Sequence, residues 1–489
     1  MILEHIKKYA KDNRVFYKYK DKDYSYKELD EDSDRIASYL KRVLGEDKRP
    51  IVVYGHKDPL MIAVFLGCVK SGRSYCPVDS STPRDRVLKI IDKVGSEIVF
   101  TIDSLPVEKA VGLEEIKEIV SFEKKTVSSS DYVKEEDLYY IIFTSGSTGE
   151  PKGVMIRLKN VEAFTRWIID IGKTERDSVI LNQAPFSFDL SVMDLYMALG
   201  SGSILYVLDK ESQSDYPVLM EELKKSKANI WVSTPSFADL CLAERNFQED
   251  LLPNLHTFLF CGEILTNKTA KKLKKRFPKA RIINTYGPTE STVCVTSIEI
   301  TEDIIEHFNP LPIGKPKPGT ILKIMKEAKE EKGEIMILGD TVGLGYYKSE
   351  ELTGKVFGKE KDSGLPFYLT GDIGFQKEGY YFCGGRIDDQ IKMHGYRIEL
   401  SDIEKNMDRL EEIEKSCVIP FWNKGKVQRL TAFIVYKGSI KDENKRTLKL
   451  KELLGEYLQK YMIPQRFVYI DALPINRNGK IDRKQLMEY

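Results

Sequence analysis

Residues 140–156 read Tyr140-Ile-Ile-Phe-Thr144-Ser-Gly-Ser-Thr148-Gly-Glu-Pro-Lys152-Gly-Val-Met-Ile156. The apolar run Tyr140, Ile141, Ile142 and Phe143 predicts a buried strand, and the glycines and hydroxyls after it predict a loop, since neither helix nor strand tolerates them at that density. Gly146, Gly149 and Gly153 allow positive φ or close approach of main chain to a ligand, while Thr144, Ser145, Ser147 and Thr148 set hydroxyls beside unpaired N–H groups. That is the chemistry of a phosphate cradle. It is not the triphosphatase P-loop, which runs Gly, four residues, Gly-Lys and then Ser or Thr; here Lys152 precedes Gly153. Composition alone also fits a Gly/Ser linker, so the rest of the chain decides.

Towards the N-terminus, residues 2–10 form an amphipathic pattern. A capping box, Ser25-x-x-Glu28, opens a helix with Leu29, Ile36, Leu40 and Leu44 on one face. Strands at 51–54, 75–78 and 98–101 alternate with an apolar helix ending at Lys70 and a helix opened by Thr82 and Pro83. Leu105 to Glu136 is charged and serine-rich, with Ser128-Ser129-Ser130 reading as a loop. Towards the C-terminus, apolar strands at 178–181, 203–207, 229–233, 257–260 and 281–284 are separated by helical stretches such as 216–226 and 268–276. The alternation predicts an α/β fold with two parallel-type sheet layers under covering helices. Past residue 330, short strands at 334–338, 366–369 and 379–382 with Gly-rich turns predict a small β-rich subdomain, about 310–387. From Asp388 a separate α+β unit is expected, with a helix from Ser401, strands near 415–419 and 430–436, a helix over 448–461, a strand at 466–470 and a closing loop at 476–480. The expected division is an N-terminal core, 1–387, and a C-terminal domain, 388–489.

A chain of 489 residues with 42% hydrophobic content has room for more than one packed core. Lys plus Arg number 76 against 75 Asp plus Glu, so no long-range field favours nucleic acid. The cluster Lys271, Lys272, Lys274, Lys275 and Arg276 reads as a solvated helix face. Seven scattered cysteines without a Cys-x-x-Cys pair, and five dispersed histidines, show no metal spacing and fit a reducing cytoplasm. The N-terminus carries Lys7, Lys8, Lys11 and Asp12 instead of an apolar export signal. The longest apolar run, Leu60 to Val69, is about half the ~20 residues of a membrane helix, so no membrane insertion is expected.

Asn284-Thr-Tyr-Gly-Pro-Thr-Glu290, Tyr368-Leu-Thr-Gly-Asp372, Gly385-Arg386-Ile-Asp388, Lys392-Met-His-Gly-Tyr-Arg-Ile-Glu399 and Asn478-Gly-Lys480 follow the glycine loop in order. Together they resemble the motifs of the adenylate-forming superfamily, which includes acyl-CoA synthetases, luciferases and the adenylation domains of peptide synthetases. Within it, Ala184-Pro-Phe-Ser-Phe-Asp-Leu-Ser-Val-Met-Asp194, Ser233-Thr-Pro-Ser-Phe237, Thr257-Phe-Leu-Phe-Cys-Gly-Glu263, Tyr54-Gly-His56 and Gly67-Cys-Val-Lys70 are similar to the branch that activates D-alanine for a carrier protein. Two departures stand out: Thr266 where the pattern has proline, and Cys383-Gly384 where it has Tyr-Asn. The second leaves chiefly backbone contact at those positions.

The resemblance implies two half-reactions. The D-alanine carboxylate attacks the α-phosphorus of ATP and releases pyrophosphate, and the phosphopantetheine thiol of a D-alanyl carrier protein then takes the acyl group, for D-alanylation of (lipo)teichoic acid. A carboxylate is already ionised at neutral pH, so positioning and charge neutralisation suffice without a catalytic base. The same resemblance gives Thr144, Ser145 and Thr148 to the phosphates; Asn284, Thr285, Tyr286, Gly287, Pro288 and Thr289 to the nucleotide, with Tyr286 on adenine; and Glu290 to Mg²⁺. Asp372 goes to the ribose hydroxyls, with Cys383, Gly384, Gly385 and Arg386 beside the nucleotide. Lys480 bridges substrate carboxylate and α-phosphate, and Asp388 is the hinge of a mobile C-terminal domain. Asp189, Cys261 and Val293 line the amino-acid pocket. Asp189 lies between Phe188 and Leu190 and would be costly to bury unpaired, so an ammonium is its natural partner; the bland alternative is an N-cap of a helix at 191–199. Other readings are adenylation of another small amino acid, an acyl-CoA synthetase, whose fatty acid offers Asp189 no cation, and a silent ATP-binding scaffold.

Overall fold

The computed structural model describes residues 2–20, 22–146, 150–326, 330–423, 426–475, 481–487 and 489. The chain divides into two compact units. The first holds Met1–Ser80, Val94–Ile142 and Gly153–Ile387; the second holds Ser81–Lys93, Phe143–Lys152 and Asp388–Tyr489.

The first unit contains the expected α/β layers. A nine-stranded sheet runs, in spatial order, Lys315–Pro316, Thr296–Glu299, Arg281–Tyr286, Thr257–Phe260, Ile230–Ser233, Val179–Asn182, Ile204–Val207, Val15–Tyr19 and Lys22–Ser25. Its six inner strands are parallel neighbours and its edges are antiparallel. A seven-stranded sheet has the order Gly345–Tyr346, Lys152–Arg157, Leu138–Thr144, Tyr75–Val78, Ile51–Tyr54, Val99–Thr101, Ala110–Gly112. Strands such as Ile51–Tyr54, Ile230–Ser233 and Thr257–Phe260 are buried at every position, which is what a parallel sheet covered on both faces requires. The five-stranded antiparallel sheet built on Gly333–Gly339 and Pro366–Lys377 is the β-rich part.

Local chemistry fixes the helix starts. Ser25 Oγ accepts from Glu28 N at 3.1 Å while Glu28 Oε2 accepts from Ser25 N at 2.7 Å, closing the capping box of Tyr26–Leu44. The unexpected Thr266 has a clear use: its Oγ1 accepts from Thr269 N at 3.1 Å and caps Asn267–Arg276.

One expectation needs correction, and one stretch holds elements that its sequence did not announce. Leu105–Glu136 contains the edge strand Ala110–Gly112 and the helix Leu113–Phe122. Only Ile116 and Ile119 of that helix are buried, so its charged face dominates the sequence. The helix expected over 448–461 is Glu443–Leu454, because Asp442 Oδ1 accepts from Lys445 N at 2.8 Å and starts it earlier, and Gly455 ends it.

The second unit packs Ile391, Ile398, Ile403, Met407, Leu430 and Leu454 into its own core. Its strands are the hairpin Gln390–Met393/Tyr396–Glu399 and a sheet of Ile413–Asn423, Lys426–Tyr436 and Arg466–Tyr469. The hairpin turns on His394 (φ 52°) and Gly395 (φ 83°), the two positive φ values a tight two-residue turn needs.

Candidate active site

Ligand sites of parallel sheets form beyond the C-terminal ends of the strands. Several of the residues expected at the site stand there: Cys261 directly follows Thr257–Phe260, Tyr286 ends Arg281–Tyr286, and a short loop after Val179–Asn182 carries Asp189. Asp189 is half-buried at the start of the helix Leu190–Ser201, yet its side chain makes no cap hydrogen bond. Its Oδ2 instead accepts from Thr289 Oγ1 at 2.6 Å. Thr289 sits on the turn Thr289–Ser291 with Glu290, which is fully buried and whose Oε1 accepts from Tyr346 Oη at 2.8 Å.

Cys261 Sγ donates to Val293 O at 3.7 Å, so the two residues expected to line the amino-acid pocket are in contact. Val293 adopts φ 69°, directly after Thr292 at φ 60°. A β-branched residue in the left-handed region is strained, and such strain persists only where surrounding structure enforces it. Behind them, burial and then the Cys261 thiol push the Cys294 thiol well above its usual range. Gly287 is fixed by space: a Cβ there would stand 2.4 Å from Cys294 Cα.

Tyr286 Oη donates to Asp372 Oδ2 at 2.6 Å, and Arg386 donates to Asp372 Oδ1 at 2.5 Å. Burial raises the Tyr286 phenol well above the ordinary tyrosine range and the Asp372 charge raises it further, so it stays a donor at neutral pH. Asn284 Nδ2 donates to Pro312 O at 2.8 Å and Thr285 Oγ1 to Phe260 O at 2.8 Å. Those two side chains are committed to the protein interior. Pro288 precedes the Thr289 turn, and Cys383, Gly384 and Gly385 lie on Tyr380–Arg386, with the two glycines exposed.

In the second unit, Ser145 Oγ donates to Arg397 O at 2.8 Å, and Thr144 Oγ1 is buried with no partner among the described residues. Arg86 bridges Thr144 O at 3.2 Å and Asp402 at 3.3 Å, and burial raises the Asp402 carboxyl above its usual range. Asp388 is exposed, and its Oδ1 accepts from Gln390 N at 3.3 Å. Thr148 and Lys480, with Ser147 and Gly149, lie outside the described residues.

The sequence reading missed the Tyr346 hydroxyl on Glu290 and the pairing of Thr289 with Asp189. The partners are 56 and 100 residues apart, and no local pattern announces either contact.

The fold and these motifs define an adenylate-forming enzyme. The chain belongs to the AMP-binding enzyme family: that family's model matches residues 3–347, and the model of the AMP-binding enzyme C-terminal domain matches 402–480. It is 44% identical to the D-alanine–D-alanyl carrier protein ligase of Bacillus cytotoxicus, covering 99% of both chains. To the protein of the same name from Bacillus licheniformis it is also 44% identical, over 100% of this chain and 99% of that one. Among solved structures, a Vibrio cholerae adenylation domain in complex with glycyl-adenosine-5'-phosphate superposes with a TM-score of 0.82 at 22% identity, covering 100% of this chain and 96% of that one. The o-succinylbenzoate CoA synthetase of Bacillus subtilis gives 0.85 at 20% identity over 99% and 98%. These two likenesses are of fold.

Proposed function

We propose that this enzyme activates D-alanine with ATP, forming D-alanyl-adenylate and pyrophosphate, and passes the D-alanyl group to the phosphopantetheine thiol of a carrier protein for D-alanylation of (lipo)teichoic acid. The observation that supports the amino-acid reading is the Asp189 carboxylate, held by Thr289 and spared from helix capping, at the C-terminal end of the sheet whose next strands lead to Cys261 and Val293. A carboxylate so placed seats an ammonium. The full-length relatives named for D-alanine supply the identity of the amino acid.

Asp189 orients the ammonium and Cys261 and Val293 limit the side-chain volume. Asp372 takes the ribose, supported by Arg386 and Tyr286. Thr144, Ser145 and Thr148 serve the phosphates, and Lys480 neutralises the carboxylate and α-phosphate as they meet. Asp388 is the hinge that separates the half-reactions.

Glu290 is the residue for Mg²⁺. Among the described residues no group of three or more His, Cys, Asp or Glu side chains is set to hold a metal. A buried single carboxylate nonetheless fits this ion, which is bound through one or two carboxylates plus substrate phosphates and water. When bound, the ion neutralises phosphate charge. Among the described residues no helix is long and apolar enough to cross a membrane, and we place the enzyme in the cytoplasm, where ATP is available.

The test is pyrophosphate exchange across D- and L-amino acids and fatty acids. D-alanine should give the highest kcat/KM; a preference for L-alanine, glycine or a fatty acid refutes the assignment.

A further inference from the structure

Lys57 lies between the strand Ile51–Tyr54 and the helix Pro59–Lys70, at a left-handed backbone position with φ 51°. It is 1% exposed, and among the described residues its ammonium pairs with no carboxylate. It donates instead to three main-chain carbonyls: Asn182 at 3.3 Å, Gln183 at 2.8 Å and Leu208 at 2.7 Å. Asn182 ends Val179–Asn182, and Leu208 follows the neighbouring parallel strand Ile204–Val207, with Val207 in register with Asn182.

A buried cation is costly to desolvate, and burial drives the Lys57 pKa down to about 7, although the nearby Asp194, Asp79 and Asp209 carboxylates, which do not pair with it directly, pull the other way. Filling that volume does not need a charge. What the ammonium does is fix the place where the chain leaves the sheet, and the segment that leaves is the loop carrying Asp189. The other anchors of the loop converge on the same point. Asn182 Nδ2 donates to Ala184 O at 3.2 Å and to Asp194 Oδ1 at 2.9 Å, and Asp194 lies in the helix that follows Asp189. Gln213 Nε2 donates to Gln183 O at 3.2 Å, and Phe188 N closes a turn onto Pro185 O at 3.0 Å.

We propose that Lys57 is a positioning residue for amino-acid selection, acting through the loop 183–188 to set where the Asp189 carboxylate stands. The inference rests on the reading of Asp189 as the ammonium seat. The full-length protein is assayed by pyrophosphate exchange, with KM measured for D-alanine and for ATP. Lys57→Met keeps length but removes all three donors, and should raise the D-alanine KM about ten- to hundred-fold, the scale of a misplaced substrate contact, with the ATP KM within about two-fold. Asp194→Ala, which frees the Asn182 side chain from the other end of the loop, should give the same signature. A purely structural role would lower Tm and the active fraction and leave the D-alanine KM alone; that result in either variant overturns the proposal. If Lys57→Met does not fold, Lys57→Gln, which keeps a shorter amide donor, is read by the same two constants. A wild type without D-alanine-dependent exchange refutes the functional reading instead, so the two failures are distinct.

Discussion

Thr289 separates two accounts of the site. The motif places it with the nucleotide, whereas the structure gives its hydroxyl to Asp189 at 2.6 Å. Thr289→Val keeps shape at a buried position and removes only the donor. A hydrogen bond to an ionised group is worth about 1.5–3 kcal/mol. Asp189 is half-buried, so water replaces part of the lost donor and the lower end applies, about 1.5 kcal/mol. At 1.4 kcal/mol per decade, the D-alanine KM should rise about ten-fold, with the ATP KM unchanged. Thr289→Ser, which retains the hydroxyl, should restore most of the loss. The assay is pyrophosphate exchange with each substrate varied while the other saturates. A rise in the ATP KM with an unmoved D-alanine KM would refute the reasoning and return Thr289 to the nucleotide.

Lys480→Ala should cut D-alanine-dependent pyrophosphate exchange roughly 10²–10³-fold, the cost of one strong electrostatic contact to the transition state, and spare thiolation from preformed adenylate; near-normal exchange counts against it. Asp388→Pro restricts φ at the junction and should keep adenylation while impairing carrier loading, and equal loss of both activities argues against a hinge there. Cys261→Ala opens the space an L-methyl would occupy and should raise kcat/KM for L-alanine about ten-fold, with less change for D-alanine; an unmoved D/L ratio removes Cys261 from selection. The Lys57 pKa is about 7 in the fold, below the ordinary 10.5, so the unfolded chain holds the extra proton between those values and stability rises with pH across that window. The wild type should therefore gain in Tm on Lys57→Met from pH 7 to pH 10, and a constant difference would mean that the buried group does not titrate there.

Legibility followed the range of the interaction. Fully buried strands and the Ser25–Glu28 box announce themselves because their partners are neighbours in sequence or the pattern repeats. The helix Leu113–Phe122 did not, because a helix that buries so few side chains has little apolar pattern to read. Asp189 was legible as a carboxylate in an apolar stretch, a costly placement that asks for a partner. Which partner holds it in the protein was not, since Thr289 is 100 residues away. Lys57 was less legible still: beside Asp58 and Pro59 it reads as the flank of a helix start, and its acceptors are main-chain carbonyls 125, 126 and 151 residues distant. A carbonyl carries no residue type, so such a contact leaves no complementary letter to find.

Those carbonyls connect the fold to selectivity. A parallel sheet ends in C=O groups that must find donors when buried. Here Asn182 and Leu208 find Lys57, Phe260 finds Thr285, and Val293, beside the next strand end, finds Cys261. On the reading proposed above, Cys261 lines the amino-acid pocket and Lys57 braces it, while Thr285 stands on the nucleotide side. A substitution that reshapes the pocket therefore also strands a buried acceptor, at about 1–3 kcal/mol, unless the new side chain admits water or keeps a donor. Cys261 is the most replaceable of the three on this account, because a thiol at 3.7 Å is a weak donor and its loss leaves the least unpaid. Substrate range should then change first at Cys261, with small loss of stability, and last at Lys57, where selectivity and folding are held by the same three hydrogen bonds.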